Sequence, residues 1–242
     1  MPENERFTKR GRFLSQPSHD DHYTKKGRWS IFESPFASYM DDFSRLENYP
    51  GEIIDLLRSK RRPVIIDLLS STATLRNLKH TVLKDREMRA LAVGLTDNRS
   101  SEEKALDASL GITYTAGNLR RPNFWEGIDN WLGEEVTDFI FQRGAGGLTY
   151  LPTRPIFAVA AISEVWEMLN PDGGYAFLQT PPADALEENG IEVNKWASQL
   201  RQARIPSWFV PDYSCAADNN LSYGLLRLDR TPQSPELPVV QM

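Results

Sequence analysis

Cysteine, histidine and long apolar runs are all scarce in this chain, and each scarcity closes off a class of function. The one cysteine, Cys215, leaves no internal disulfide and fits a reducing compartment. With the three histidines His19, His22 and His80 it makes no ligand spacing of the zinc type, so no metal is expected. His19 and His22 stand beside Asp20 and Asp21 in a stretch that reads as a solvated tail. No apolar run nears the roughly 20 residues of a membrane helix. The polar, charged stretch from Met1 to Arg12 does not read as a signal peptide. The expectation is therefore a cytoplasmic protein with no membrane partner. Neither a Gly-x-Ser-x-Gly elbow nor a phosphate-cradling Gly-Lys-Ser/Thr motif occurs, which removes those two kinds of chemistry.

What is present suits one α/β domain with additions. The chain has 242 residues, enough for a sizeable core, and its 40% hydrophobic and 25% charged residues are ordinary for a globular protein. The net charge of -5 is unevenly spread. Residues 1–30 hold seven Lys or Arg against four acids, a balance of +3, which leaves -8 for the rest. Interleaved Phe7, Phe13, Tyr23 and Trp29 give this basic arm two readings. It could touch nucleic-acid phosphates, or it could dock on its own domain; the acidic body and the short arm favour the second.

Strand and helix patterns alternate along the rest. Apolar residues at helical spacing run from Phe32 to Arg58, broken by Tyr49-Pro50-Gly51, and Arg61-Arg62-Pro63 precedes the first strand, Val64-Ile65-Ile66. Further strands are expected over Ala90–Leu95, Ile112–Ala116, Val136–Phe141, Tyr175–Gln179, Pro206–Val210 and Leu221–Leu228. Helices are expected over Leu75–Lys84, Ser101–Ser109, Trp125–Leu132, Ile156–Leu169 and Asp184–Gln202. The pattern predicts a doubly wound, mostly parallel seven-stranded sheet with helices on both faces. The last two strands, joined by Pro211 to Asn220 without a helical pattern, should form an antiparallel pair at one edge. The divisions follow: an irregular basic arm over 1–30, N-terminal helices over 31–60, the sheet domain over 61–231 and a Pro-rich tail over 232–242.

The most telling segment is Asp67-Leu68-Leu69-Ser70-Ser71-Thr72-Ala73-Thr74-Leu75, a strand-to-helix turn at the carboxyl end of the first strand. That is where an open α/β sheet binds nucleotide-like ligands. It reads as an Asp-x-Gly-x-Gly-x-Gly loop with Leu69, Ser71 and Ala73 in the glycine slots. Val93-Gly94-Leu95-Thr96-Asp97, Ala116-Gly117-Asn118-Leu119 and Met168-Leu169-Asn170-Pro171-Asp172-Gly173-Gly174 follow in order. Together these four elements resemble the class I S-adenosylmethionine-dependent methyltransferases, over about Arg61 to Thr231. The resemblance implies a Rossmann-like methyltransferase sheet and S-adenosylmethionine as cofactor. It places Asp67, Leu69, Ser71 and Ala73 along the cofactor's amino-acid part, Thr96 and Asp97 at the ribose, and Asn118 and Leu119 at the adenine.

After the fourth strand the chain has Gln142-Arg143-Gly144-Ala145-Gly146-Gly147 where amino-methylating families often carry Asn/Asp-Pro-Pro-Tyr/Phe. Gln142 could orient an acceptor or contact the cofactor. Two readings stay open. One is a methyltransferase-like protein with an unidentified acceptor. The other is an inactive scaffold or partner-binding protein on the same fold, associated with RNA through the basic arm in a further variant.

Overall fold

Three residues of helix near the start and two layers of helices around one sheet make up the computed structural model of the chain. It describes residues 36–37, 40, 51–68, 71–94, 97–117, 122–142, 155–180, 187–188, 190, 192–214, 222–234 and 237. Among them the elements run α1 (Gly51–Ser59), β1 (Val64–Leu68), α2 (Ala73–Thr81), β2 (Arg89–Gly94), α3 (Ser101–Ser109), β3 (Ile112–Ala116) and α4 (Pro122–Leu132). Then follow β4 (Phe139–Gln142), α5 (Pro155–Met168), β5 (Gly174–Thr180), α6 (Val193–Gln202), β6 (Ser207–Ser214) and β7 (Ser222–Arg230).

The seven strands lie in the order β3-β2-β1-β4-β5-β7-β6. Strands β1 to β5 pair in parallel, and β7 runs antiparallel to both β5 and β6. This is the doubly wound, mostly parallel seven-stranded sheet with an antiparallel edge pair that the sequence pattern predicts, with its switch point between β1 and β4. The central strands β1, β2, β4 and β5 alternate their side chains between two cores. Ile65, Ala90, Phe139, Phe141 and Phe177 pack with Ile53 and Leu57 of α1 and Leu75 and Leu78 of α2. Ile66, Leu68, Val93 and Ile140 pack on the other face with Trp125 of α4, Trp166 of α5 and Trp196 of α6. Burial on both faces explains why the central strands read as unbroken apolar runs. Phe36 belongs to the first of these cores: its ring meets Phe139 and Phe141 edge-on, with centroids 6.4 and 5.8 Å apart.

Element ends differ from the sequence pattern for local reasons. The fourth strand starts at Phe139, not Val136, because Val136 is exposed and Thr137 pairs with Leu169 in an isolated bridge. Buried Asp138 ties that entry down, accepting from Val64 N at 3.0 Å and Asn170 Nδ2 at 3.1 Å. Helix α2 stops at Thr81 rather than Lys84; Lys79 Nζ donates to the carbonyls of Leu83, Lys84 and Arg86 beyond its end. The helix expected over Asp184–Gln202 is interrupted: Glu187 and Glu188 are helical, Gly190 turns at φ 85°, and α6 starts at Val193. Strand β6 runs on to Ser214 past Pro211, with a register shift between Val210 and Tyr213. Proline is tolerated there because β6 is the sheet edge. Helix α6 closes with Ile205 N donating to Leu200 O and Arg204 N to Arg201 O, which places Arg204 at φ 58°.

Candidate functional site

The carboxyl rim of β1, β2, β3 and β4 carries buried polar residues, Asp67 and Gln142 among them. Asp67, in β1, is fully buried and lies in register with Ala92 of β2 and Phe141 of β4. One residue on, Leu68 pairs in register with Gln142, the last residue of β4. Gln179 and Thr180 close β5 beside them, also buried.

The turn after β1 enters α2 without glycine. Ser71 Oγ accepts from Ala73 N at 3.2 Å, and Thr72 is already helical at φ -72° and ψ -6°. Among the described residues Arg204 is the one non-glycine with positive φ, so Ser71 and Ala73 carry no left-handed strain. The missing glycines at these two slots therefore cost the backbone nothing. Thr72 makes no side-chain cap to its own helix; its hydroxyl serves Asp107 of α3 instead.

Asp107 is the hub of the rim's charges. Its side chain is fully buried and accepts from Arg76 Nε at 2.6 Å and Arg99 Nη1 at 2.8 Å. Burial pushes its carboxyl up, but the hydrogen bonds from Arg76, Arg99 and Thr72 outweigh that and hold it below the usual carboxylate range. Arg99 also grips Asp97, with Nε 2.9 Å from Oδ1 and Nη2 3.1 Å from Oδ2, and its own N–H donates to Oδ1 at 3.2 Å. Lys104 Nζ adds a contact of 3.2 Å to Oδ2. These donors, the Arg99 fork first, hold the Asp97 carboxyl far below its ordinary value. The Arg99 guanidinium lies 4.5 Å from the ring centroid of Tyr114 on β3. Burial, and secondarily the Asp97 charge, pushes the Tyr114 phenol up to about 12. Ser100 then caps α3: its Oγ accepts from Glu103 N at 3.2 Å while Glu103 Oε2 accepts from Ser100 N at 2.8 Å.

The structure thus brings Asp67, Ser71, Ala73, Asp97 and Gln142 to one rim. Leu69, Thr96, Asn118 and Leu119 lie outside the described residues, as do the basic arm, the segment from Arg143 to Gly147 and Cys215. Gly117 has a packing role of its own: a Cβ there would stand 2.6 Å from Phe124 Cδ2, so glycine lets α4 close onto β3. Sequence reading missed Arg76, Arg99, Asp107 and Tyr114. Only Arg99, two residues after Asp97, gave a hint, and such charges normally face solvent. No group of three or more His, Cys, Asp or Glu able to hold a metal occurs among the described residues, and none of their helices is long and apolar enough to cross a membrane.

Two buried donors find no hydrogen-bond acceptor among the described residues near this rim. They are Gln142 Nε2, at the end of β4, and Trp196 Nε1, in the first turn of α6. Thr137 Oγ1 is unpartnered too, but at the opposite end of β4. An unmade bond of this kind costs about 1–3 kcal/mol. The rim is thus under-satisfied at Gln142 while being over-supplied with internal donors at Asp97.

No protein-family model matches the chain, and no curated protein sequence does. Solved structures do match in fold. The plantazolicin methyltransferase BamL, solved with S-adenosylhomocysteine, is 9% identical with a TM-score of 0.47, over 94% of this chain and 96% of that one. Human methyltransferase-like protein 13, also with S-adenosylhomocysteine, is 11% identical at 0.47, over 81% of this chain and 82% of its own. A protein from Bordetella parapertussis described as a possible exported protein is 13% identical at 0.42, over 75% of this chain and 66% of its own. The chain spans less than two thirds of some other matches, down to 48%. Most of the matches are methyltransferases. At such identities the likeness concerns the fold alone.

Proposed function

We propose that the chain is a methyltransferase-like protein whose rim at β1, β2, β3 and β4 binds an adenosyl cofactor, S-adenosylmethionine, for transfer to an acceptor still to be identified. The unit that carries the site spans 61–231, with the helices of 31–60, the basic arm of 1–30 and the tail of 232–242 as additions. The observation that supports this reading best is the buried Gln142 amide, whose Nε2 donor has no acceptor among the described residues. A carboxylate or carbonyl oxygen of a bound ligand completes it. The resemblance assigns Asp67, Leu69, Ser71 and Ala73, and with them Gln142, toward the amino-acid part, Thr96 and Asp97 toward the ribose, and Asn118 and Leu119 toward the adenine. When bound, the sulfonium supplies an electrophilic methyl, and the protein's task is to align an acceptor with it.

Calorimetric and melting titrations with S-adenosylmethionine and S-adenosylhomocysteine test this, since a ligand of the native state must raise its stability. Saturable heat and an upward melting shift are expected, and Gln142→Leu should weaken binding while leaving the unfolding free energy unchanged or higher. Absence of heat and shift at millimolar ligand refutes the reading. A second reading is favoured by one specific observation: the Asp97 carboxylate is fully engaged by Arg99 and Lys104. On that reading the same fold serves as a cofactor-free scaffold.

A further inference from the structure

We infer that Arg99 is the specificity-determining residue of this rim, setting its affinity for a ribose diol by occupying the carboxylate that would accept the two hydroxyls. The inference rests on the adenosyl-binding reading above and explains what regulates that site.

A carboxylate offers about four acceptor directions. At Asp97 all four are taken from within the chain: by the Arg99 N–H and Nε on Oδ1 and by Arg99 Nη2 and Lys104 Nζ on Oδ2. Lys104 is half exposed and can be exchanged for solvent or ligand at little cost. That exchange frees one direction, on Oδ2 only. A diol needs two, so the second hydroxyl requires the Arg99 fork to let go. The fork is not a loose surface group. Its side chain is 15% exposed, it spans to fully buried Asp107 at 2.8 Å, and it stacks over Tyr114 at 4.5 Å. Both anchors hold the guanidinium beside Asp97. The charges of this corner also cancel: Arg76, Arg99 and Lys104 stand against Asp97, Glu103 and Asp107. No surplus positive charge is left to attract a phosphate, so the corner is a guarded diol site, not an anion site.

Removing the fork should open the corner without leaving Asp107 unpaired, because Arg76 Nε still donates to its Oδ1 at 2.6 Å. Wild type, Arg99→Ala and Arg99→Ala with Asp97→Asn are titrated calorimetrically with S-adenosylhomocysteine, adenosine and 2′,3′-dideoxyadenosine. Arg99→Ala should bind S-adenosylhomocysteine and adenosine about tenfold tighter than wild type, the scale of one charge-assisted bond no longer displaced. Dideoxyadenosine should gain nothing, and adding Asp97→Asn should cancel the gain. Arg99→Lys, which keeps a cation at Asp107 but loses the fork, guards against misfolding and should show a smaller gain. If wild type binds and Arg99→Ala and Arg99→Lys both bind no tighter, the inference falls while the cofactor reading stands. If no form binds S-adenosylhomocysteine, the cofactor reading falls and takes this inference with it.

Discussion

Removing the buried guanidinium of Arg227 should destabilise the fold strongly at alkaline pH and much less near pH 5. Arg227 lies in β7 with its side chain 2% exposed, and donates from Nε and Nη2 to the two oxygens of Asp229, both at 2.8 Å. Nη2 also reaches Glu52 Oε2 of α1 at 3.0 Å, and the guanidinium sits 4.3 Å from the Trp208 ring centroid and 5.1 Å from that of Tyr175. Glu52 is more than half exposed, so its arm contributes under about 1 kcal/mol. The large term is Asp229. Arg227→Ala strands its carboxylate inside the protein, a loss of about 3–5 kcal/mol. The sign of the pH dependence follows from that carboxyl. Burial pushes it up to about 6 from 3.8, with Arg227 pulling the other way. A carboxyl raised on folding contributes stability that is full below about pH 4 and lost as pH rises through about 6. Without Arg227 the downward pull is gone, so a proton neutralises Asp229 more readily and relieves the variant as pH falls. Urea unfolding at pH 8 and pH 5 measures this, with linear extrapolation to water. Replacing both partners, Arg227→Met with Asp229→Leu, should recover most of the loss. A penalty below about 1 kcal/mol at pH 8, or equal penalties at both pH values, would refute the reasoning.

Asp107→Asn should cost about 2 kcal/mol at neutral pH, because the bonds from Arg76 and Arg99 lose their charge-assisted character. Its carboxyl is held below 3.8 in the fold, so its contribution is present above about pH 4 and lost as pH falls; acid titration of the variant's stability should be shallower than that of wild type. Arg204→Gly should stabilise by about 0.5–1 kcal/mol, since Arg204 is exposed and held at φ 58°, where a Cβ crowds the following carbonyl. A loss of stability in that variant, read by thermal melting, would show that the arginine side chain makes up for the backbone.

The order of elements was legible in the chain because its cause is local. Val64-Ile65-Ile66 and Ala90-Leu91-Ala92-Val93 are apolar throughout because both faces of the parallel sheet are covered, and Ser100 and Glu103 mark the start of α3 by direct mutual capping. The degenerate loop after β1 was legible as a place, since a strand-to-helix turn at a strand's carboxyl end lies at the rim wherever the sheet is parallel. What it contains was not. Ser71 and Ala73 prove unstrained because the turn becomes helical at Thr72, a fact of φ and ψ that residue type alone does not reveal.

Charge partners on distant elements belong to the tertiary structure alone. Glu52 and Arg227 are 175 residues apart in the chain, and they meet because α1 packs on the sheet face that β7 presents between β5 and β6. Arg76 and Arg99 converge on Asp107 only once α2 and α3 stand side by side at the ends of β1 and β2. Hydrophobic periodicity repeats along the chain and can be read from a short window. An ion pair between distant elements depends on sheet order and register, which no window contains; that is why the Arg76–Asp107 and Arg227–Glu52 pairs cannot be read from the chain.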